Sequence, residues 1–371
     1  MRKKIGIITF HNAHNYGAML QAYSLLKKIK ELKEYDVEIL NYYNKRIYSS
    51  YKIIRPFRKN PIKFFKQFMS DVLNLRKNTK RYKAFDTFIK NNCKLSKLYY
   101  SDSDVFSINN EYDILITGSD QVWNPRIVGE LSDIYTLKFG GDSVKRISYA
   151  ASIGNKDVII ENSDLFAEKL SRLDYISVRE DDAKAELEKI LTKSVETVLD
   201  PTLLISKDEW ENRIEEFNKL ENKYIVAYVV EPDEEYIKIV NDLSLKTGLP
   251  VLHFGKRNPG YNNVIKTAYT EGPLEFVNYI KNADYIVATS FHATVFSIIF
   301  NKKFFIVPHR KTGARVTNLL ELLGIDGRVF YNYDEFREID YNFETNWNVV
   351  NKKLEVEREK SIKWLKNAIE G

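Results

Sequence analysis

Short apolar runs alternate with longer amphipathic segments from the beginning of the chain. The run KIGIITF at residues 4–10 is typical of a buried strand, and residues 17–32 place leucines at helical spacing. A second apolar run follows at residues 36–43. This order predicts a βαβ unit, in which two parallel strands are joined by a right-handed crossover.

The same alternation starts again in the second half of the chain. Strand-like runs occur at residues 223–230, 250–255 and 303–308, with helical patterns between them, and a charged helical stretch at residues 207–222 precedes this series. We therefore expect an α/β protein with two Rossmann-like domains that face a cleft, each a parallel sheet flanked by helices. A single long doubly wound sheet is the alternative.

The predicted division follows from that break. Residues 1–205 form the predicted N-terminal domain, with a basic helical insertion at about 45–91, and residues 206–342 form the predicted C-terminal domain. Residues 343–371 are predicted to form a C-terminal helix that crosses back to the N-terminal domain.

Composition excludes several classes of protein. Hydrophobic residues make up 44% and charged residues 29% of the 371 positions, which is typical of a soluble globular protein rather than a disordered one. The apolar runs are strand-length and far shorter than the roughly 20 residues of a membrane span. One cysteine, Cys93, rules out an intrachain disulfide. With no secretory signal pattern at the start, we expect a cytoplasmic protein.

Positive charge is concentrated in one segment. Residues 41–83 contain thirteen Lys or Arg and one acidic residue, interspersed with nine Tyr and Phe, whereas the net charge of the whole chain is +6. This mixture is compatible with a solvated helical face, with peripheral contact to an anionic membrane or a polyanionic acceptor, or with nucleic acid. No recognised nucleic-acid motif accompanies the charge, so we expect no nucleic-acid partner.

The first predicted strand leads into an unusually polar turn. The segment FHNAHNYGAMLQAY at residues 10–23 is not a GxGxxG motif, so a dinucleotide is not indicated. A helix start offers backbone N–H groups to an anion or a sugar hydroxyl, although an ordinary Asn-capped helix is the alternative. The candidate substrate-binding residues of this turn are His11, Asn12, His14, Asn15 and Gly17.

Three further strand ends carry candidate chemistry. In TGSDQVWNP, Asp120 could orient an acceptor hydroxyl and Trp123 could stack on a sugar ring; a capping aspartate and a core tryptophan are the alternatives. Arg179, in SVRE, would either pair with an acid on the surface or point into the cleft towards an anion. His292 follows the strand-like run IVA and Ser290, at a helix start, where a general acid or a core histidine would fit.

Taken together, six segments resemble the polysaccharide pyruvyl transferase family. They occur in the family's order over most of the chain, and they read GIITFHNAHNYGAMLQAY, ILITGSDQVWNP, SYAASIG, ISVREDDA, VLDPTLLI and SFHATVFSIIFNKKFFIVP. The resemblance implies a GT-B-like fold and a ketal-forming transferase. Such an enzyme moves the enolpyruvyl-derived group of phosphoenolpyruvate onto sugar hydroxyls of a surface polysaccharide or its lipid-linked precursor. Phosphoenolpyruvate is then a substrate, and neither a cofactor nor a metal is expected.

The resemblance also implies roles for individual residues. His292 matches the family histidine and would be the general acid, and Arg179 matches the arginine taken to bind the donor. Asp120, which could orient an acceptor hydroxyl, is the second candidate catalytic residue. Many members carry an arginine where this chain has Ser290. We expect Arg310 or Lys311, together with Arg315, to supply the missing donor contact, unless these residues form only a solvated basic loop.

Two other functions stay open at this point. A GT-B-type glycosyltransferase with a nucleotide-sugar donor would share the architecture, because a fold does not determine a function. A non-catalytic scaffold that uses residues 41–83 at a membrane would not need His292. The Asp-Pro pair at Asp200 and Pro201 is interpreted as a structural turn.

Overall fold

The computed structural model describes residues 2–56, 61–229, 232–308 and 314–371. Over these ranges the chain divides into two compact units, one of Met1–Ile205 with Glu357–Gly371 and one of Ser206–Val356. Each unit contains its own sheet, and all strand pairs described are parallel. The expected α/β class, with mostly parallel sheets flanked by helices, is confirmed.

The first unit contains the longer sheet. Its strands are β1 (Lys4–Ile8), β2 (Asp36–Tyr42), β3 (Leu95–Tyr99), β4 (Ile114–Thr117), β5 (Lys145–Ala151), β6 (Tyr175–Val178) and β7 (Val195–Thr197). Within the described residues they form a seven-stranded sheet in the order β3-β2-β1-β4-β5-β6-β7. The chain thus moves one way from β1 to β3 and the other way from β4 to β7.

Helices connect these strands. They are α1 (Tyr16–Leu32), α2 (Lys45–Ser49), α3 (Pro61–Leu73), α4 (Leu75–Asn92), α5 (Asp102–Phe106), α6 (Pro125–Val128), α7 (Asp157–Glu161), α8 (Ser163–Leu170) and α9 (Asp181–Ile190). The basic insertion between β2 and β3 therefore folds as α2, α3 and α4. A 3-10 turn, Pro201–Leu204, follows β7.

The second unit has the same architecture, a parallel sheet flanked by helices, but its sheet is shorter. Its strands are β8 (Ile225–Tyr228), β9 (Val251–Phe254), β10 (Val264–Thr267), β11 (Tyr285–Ala288) and β12 (Lys303–Ile306). Its helices are α10 (Lys207–Arg213), α11 (Glu234–Thr247), α12 (Pro273–Asn282), α13 (Phe291–Ile299), α14 (Ala314–Leu323), α15 (Tyr333–Arg337) and the start of α16 (Trp347–Glu370). The described strands form a five-stranded sheet in the order β10-β9-β8-β11-β12.

Burial explains why the central strands form. Every residue of β4, β9 and β11 is buried, since helices cover both faces of a parallel sheet. The sequence pattern did not predict β3 or β10, which lie at the edges of their sheets. Residues of these two strands are mostly half-buried or exposed, so they lack the continuous apolar run of a central strand.

No helix in the described part of the chain is both long enough and apolar enough to span a membrane.

The last turns of α16 belong to the first unit. Leu365, Ala368 and Ile369 are buried there at no more than 1% exposure. The backbone N–H of Leu199 donates to Ser361 Oγ at 3.0 Å, close to the start of the 3-10 turn. The distal part of α16 therefore completes the core of the first unit.

We expect Leu365→Ala to lower the free energy of unfolding by about 2–5 kcal/mol, because it leaves a cavity in a packed core. The control is Val349→Ala on the exposed face of the same helix, where the side chain is 49% exposed and the loss should stay within about 0.5 kcal/mol. Urea unfolding followed by circular dichroism measures both. Equal losses for the two variants would contradict this account of α16.

Candidate active site

The order of the first sheet reverses between β1 and β4. In open parallel sheets, ligands bind beyond the carboxyl ends of the strands at such a reversal. Thr9 follows β1 and Ser119 follows β4, and Thr9 Oγ1 donates to the Ser119 carbonyl at 3.0 Å. Gln21 of α1 donates to Thr9 Oγ1 at 2.8 Å. The two loops that carry predicted site residues are therefore joined at this edge.

His11 is a buried, hydrogen-bonded residue of the loop after β1. Its Nε2 lies 3.1 Å from Asn41 Oδ1 and its Nδ1 lies 3.2 Å from the Thr9 carbonyl. Burial lowers the pKa of His11, although these two contacts partly oppose the shift. Asn12, which is half-buried, donates to the same Asn41 oxygen at 3.3 Å. Burial favours the neutral imidazole, which carries one N–H, so His11 donates to only one of these two oxygens.

Asn15 caps α1, as the alternative interpretation of this turn expected. Its side-chain oxygen accepts from the Ala18 N–H at 3.2 Å, and the residue is exposed. Gly17 lies in the first turn of the helix and is buried. Capping and substrate contact are compatible here, because an exposed amide at a helix start can still donate to a ligand.

His14 faces the basic insertion rather than solvent. Its ring centroid lies 5.7 Å from that of Tyr51, 4.8 Å from that of Tyr82 and 5.3 Å from that of Phe85. Burial, and then the charge of Arg81, lower the pKa of His14 to about 4. Since His14 is neutral at pH 7, it acts as a packing residue that joins the loop after β1 to the insertion.

Asp120 is a strained residue at the end of β4. Its φ of 74° lies in the left-handed region, which aspartate tolerates better than most residues. Its carbonyl accepts from the N–H groups of Val122 and Ser152, at 2.8 and 2.9 Å, which fixes the loop to the end of β5. The side chain is half-buried. Burial, and then the charge of Asp120, raise the pKa of Tyr51, so the insertion lies close to this carboxylate.

Arg179 is neither a surface residue nor an open anion clamp. Its guanidinium is buried, with Nη1 donating to Asp200 Oδ2 at 2.8 Å and Nε 3.9 Å from Glu180 Oε1. Burial alone would lower the pKa of Arg179, but Asp200, Glu180 and Asp120 raise it above its ordinary value. The guanidinium therefore remains charged and shares its charge with neighbouring carboxylates.

Asp200 is the residue of this cluster that sequence reasoning treated as a turn former only. Its Oδ1 accepts from the N–H and the hydroxyl of Thr202, at 3.0 and 2.6 Å, which caps the 3-10 turn. Its Oδ2 accepts from Ser119 Oγ at 3.0 Å as well as from Arg179. A second carboxylate, Glu180, accepts a short hydrogen bond from Ser152. These contacts connect the carboxyl ends of β4, β5 and β6 with the turn after β7.

Trp123 packs in the core of the first unit. The side chain is completely buried, and its indole N–H donates to the Tyr135 carbonyl at 2.9 Å. The structure therefore favours the core alternative for Trp123 over stacking on a sugar, because a ring with no exposed surface cannot contact a ligand without rearrangement.

His292 lies at the equivalent edge of the second sheet, whose order reverses between β8 and β11. The Thr289 N–H donates to the Tyr228 carbonyl at 3.1 Å, which extends the pairing of β11 with β8. Ser290 is the N-terminal cap residue of α13, and His292 lies in the first turn of that helix with 7% of its surface exposed. This is again the position beyond the strand ends where ligands bind.

The rest of α13 is a core helix. All residues of Phe291–Ile299 are buried, and Phe296 packs edge-on against Trp210 at 5.1 Å between centroids. Such packing holds the first turn of the helix, and His292 with it, in a fixed position. Ser290 is half-buried and makes no capping hydrogen bond through its hydroxyl within the described structure.

Of the three cations predicted to supply the missing donor contact, the structure describes one. Arg315 lies in the first turn of α14 and is half-buried. Arg310 and Lys311, with the neighbouring His309, lie outside the described residues. In the described ranges no group of three or more His, Cys, Asp or Glu side chains could hold a metal ion.

Comparisons with known proteins agree with this architecture. Residues 15–311 match the model of the family described as polysaccharide pyruvyl transferase. The UDP-GlcNAc 2-epimerase of Methanocaldococcus jannaschii, solved with UDP-GlcNAc and UDP, aligns over 96% of this chain and 99% of its own at 12% identity, with a TM-score of 0.50. A candidate UDP-N-acetylglucosamine 2-epimerase from Listeria monocytogenes aligns over 99% and 91% at 10% identity, also at 0.50. At these identities the likeness shows the GT-B-like fold alone. No curated protein sequence matches the chain.

We expect Asp200→Asn and Arg179→Met each to lower the free energy of unfolding by about 3–5 kcal/mol, because each leaves a buried charge without its main partner. The double variant should lose clearly less than the sum of the two, since it removes both charges. Urea unfolding of the four proteins measures this coupling. Additive losses, within about 0.5 kcal/mol, would mean that the two residues do not stabilise each other.

Proposed function

This chain belongs to the polysaccharide pyruvyl transferase family, and from that premise we propose that it transfers the enolpyruvyl-derived group of phosphoenolpyruvate to two hydroxyls of a sugar, forming a pyruvate ketal. Family membership makes the protein a transferase with a polysaccharide acceptor substrate. The donor, the ketal product and the roles of individual residues are parts of the proposal. A lipid-linked precursor of a surface polysaccharide is the acceptor that we propose.

The reaction needs one proton donor and a site for several negative charges. Protonation of C3 of phosphoenolpyruvate leaves a positive centre at C2, which a sugar hydroxyl attacks. The bond from C2 to the phosphate oxygen then breaks, and a second hydroxyl closes the ketal at C2. The two hydroxyls release two protons, of which one balances the proton taken up by C3 and the other leaves with phosphate. The sum is phosphoenolpyruvate plus a diol giving a ketal plus phosphate.

His292 is the group that we assign to the first proton transfer. The observation that carries this assignment is its position in the first turn of α13, just beyond the carboxyl end of β11 and at the reversal point of the second sheet. An imidazole is a suitable general acid near neutral pH, and the buried helix behind it keeps the ring in place.

Residues of the first unit would serve the acceptor. Asn12 and Asn15 have exposed or half-buried amides at the reversal point of their sheet, and the half-buried carboxylate of Asp120 lies at the same edge. Amides and a carboxylate are suited to hydroxyl groups, and Asp120 could accept the proton of an attacking hydroxyl. His11 and His14 would act on this loop through packing and hydrogen bonds.

The donor's phosphate and carboxylate need cations. We assign them to Arg315, together with Arg310 or Lys311, because Ser290 cannot supply a positive charge. Arg179 would have to share its guanidinium between the donor and Asp200, to which its Nη1 already donates. Arg179 would therefore act mainly through the positive charge that it adds to the first unit, and only secondarily through a direct hydrogen bond to the donor.

The test is phosphate release from phosphoenolpyruvate in the presence of nitrophenyl glycosides or lipid-linked bacterial glycans. We expect acceptor-dependent release that falls by about 10²–10⁴-fold in His292→Ala, the range that a general acid contributes. The matched control is His253→Asn, a buried histidine of β9 in the same unit, which should keep its activity once thermal melting confirms folding. If no acceptor supports release, and a nucleotide sugar reacts in its place, the glycosyltransferase alternative would be correct.

Ser290→Arg should restore the cation that many family members carry. We expect the KM for phosphoenolpyruvate to fall by about 10–100-fold, since one charge-assisted contact contributes about 1.5–3 kcal/mol. The substitution removes no capping hydrogen bond found in the described structure, so folding should be unaffected. Ser290→Met, which adds length without charge, is the control. The same decrease in both variants would argue against an electrostatic cause.

A further inference from the structure

One face of α3 is apolar and exposed. Phe65, Phe68, Met69 and Val72 are spaced as i, i+3, i+4 and i+7, so they lie along one side of the helix. Between 36% and 63% of each side chain is exposed. A helix of a globular protein normally turns such a row inward, and contiguous apolar surface of this kind marks a contact site. We call these four residues the α3 stripe.

The stripe is extended at the end of the helix and is bordered by cations. Leu73, at 76% exposed, and Leu75, at 45%, continue the apolar surface into the start of α4. Among the residues of these two helices whose burial is described, the exposed cations are Lys66, Arg76, Lys77, Lys80, Lys83 and Lys90, the last of which pairs with Asp86. The surface therefore combines apolar side chains with positive charge, which is the combination of an interfacial amphipathic helix.

Nothing acidic offsets this charge within the segment. Asp71 is the one acidic residue among positions 41–83, and it is 1% exposed and paired with Arg55 at 2.7 Å. Asn78 of α4 donates to the Asp71 carbonyl at 3.4 Å, so this side of α3 is bonded to α4 and to Arg55. The buried side of the helix is thus fixed, while the stripe on the other side faces outward.

We propose that the α3 stripe and its cations dock the protein on a bilayer that contains anionic lipids, with α3 lying in the plane of the head groups. The apolar side chains would enter the boundary between head groups and acyl chains, and the lysines and arginines would contact lipid phosphates. This proposal does not depend on the donor or on the reaction proposed above. It fits that reaction where the acceptor is lipid-linked.

Charge and apolarity together favour this partner over others. A second copy of the chain would bring the same cations against each other, which opposes self-association through this surface. Nucleic acid or a polyanionic glycan would satisfy the cations but would leave four apolar side chains without a partner. An anionic bilayer satisfies both features at once.

The buried side of α4 contacts the candidate acceptor loop. Arg81 of α4 donates to the His14 carbonyl at 2.9 Å and to the Tyr16 hydroxyl at 3.1 Å. The ring of Phe85, also in α4, stacks on His14 at 5.3 Å. The helix that carries most of the cations of the docking surface thus also packs against the loop after β1, and docking would bring a membrane-anchored acceptor towards Asn12 and Asn15.

The experiment is sedimentation of the full-length protein with vesicles of phosphatidylcholine alone or with about one-third phosphatidylglycerol. We expect binding to the anionic vesicles only, and weakening in high salt. The double variant Phe65→Glu/Phe68→Glu should bind at least tenfold more weakly with unchanged thermal melting. The control is Leu245→Glu, which places the same charge at an apolar residue that is 82% exposed on α11, and which should bind like the wild type.

Three results would overturn the proposal. They are equal binding to neutral and anionic vesicles, undiminished binding of the double variant, and a dimer in sedimentation equilibrium that the double variant abolishes while vesicles remain unbound. The last result would identify the stripe as a self-association surface. Phosphate release with a soluble glycoside is measured in parallel. It should be unaffected in the double variant, so a failure of docking is distinguishable from a failure of the proposed reaction.

Discussion

The buried carboxylate of Asp200 is the constraint on which the first unit depends. A carboxylate removed from water is costly unless its oxygens are matched by donors, and here donors come from Ser119, Arg179 and Thr202. Ser119 follows β4, Arg179 follows β6, and Thr202 lies in the 3-10 turn. These hydrogen bonds join the carboxyl ends of β4 and β6 to the turn after β7. Asp120, the strained residue with a positive φ, directly follows the Ser119 that is fixed in this way.

Much of the fold could be predicted from the sequence, because central parallel strands are continuous apolar runs that end in polar residues. The runs at residues 4–10, 36–43 and 223–230 all contain strands of the structure. Edge strands whose side chains are partly exposed are missed in this way, whereas β12, an edge strand that is mostly buried, lies within the predicted run at residues 303–308. β3 and β10 pair on one side only, and their side chains are partly exposed, so neither shows the pattern that burial on both faces imposes.

The positions of the candidate site residues follow from the strand pattern, whereas their contacts do not. That His11 and Asp120 come after strands can be read from local sequence, and the reversal of strand order brings both to one edge. The bond between Ser119 and Asp200 joins residues 81 positions apart, which no local pattern encodes. The direction of a side chain cannot be read from the sequence either, as the complete burial of Trp123 and the burial of Arg179 show.

The membership of α16 in the first unit has a consequence for the order of synthesis. The ribosome completes Met1–Ile205 early, but Glu357–Gly371 follow only after the whole of Ser206–Val356 has been made. At 5–20 residues per second this interval is roughly 8–30 s. During that time the apolar surface that later receives Leu365 and Ile369 is uncovered in the nascent chain. Completion of the first unit therefore waits until the second unit has been made, and chaperones that bind exposed apolar surface have a defined interval in which to act.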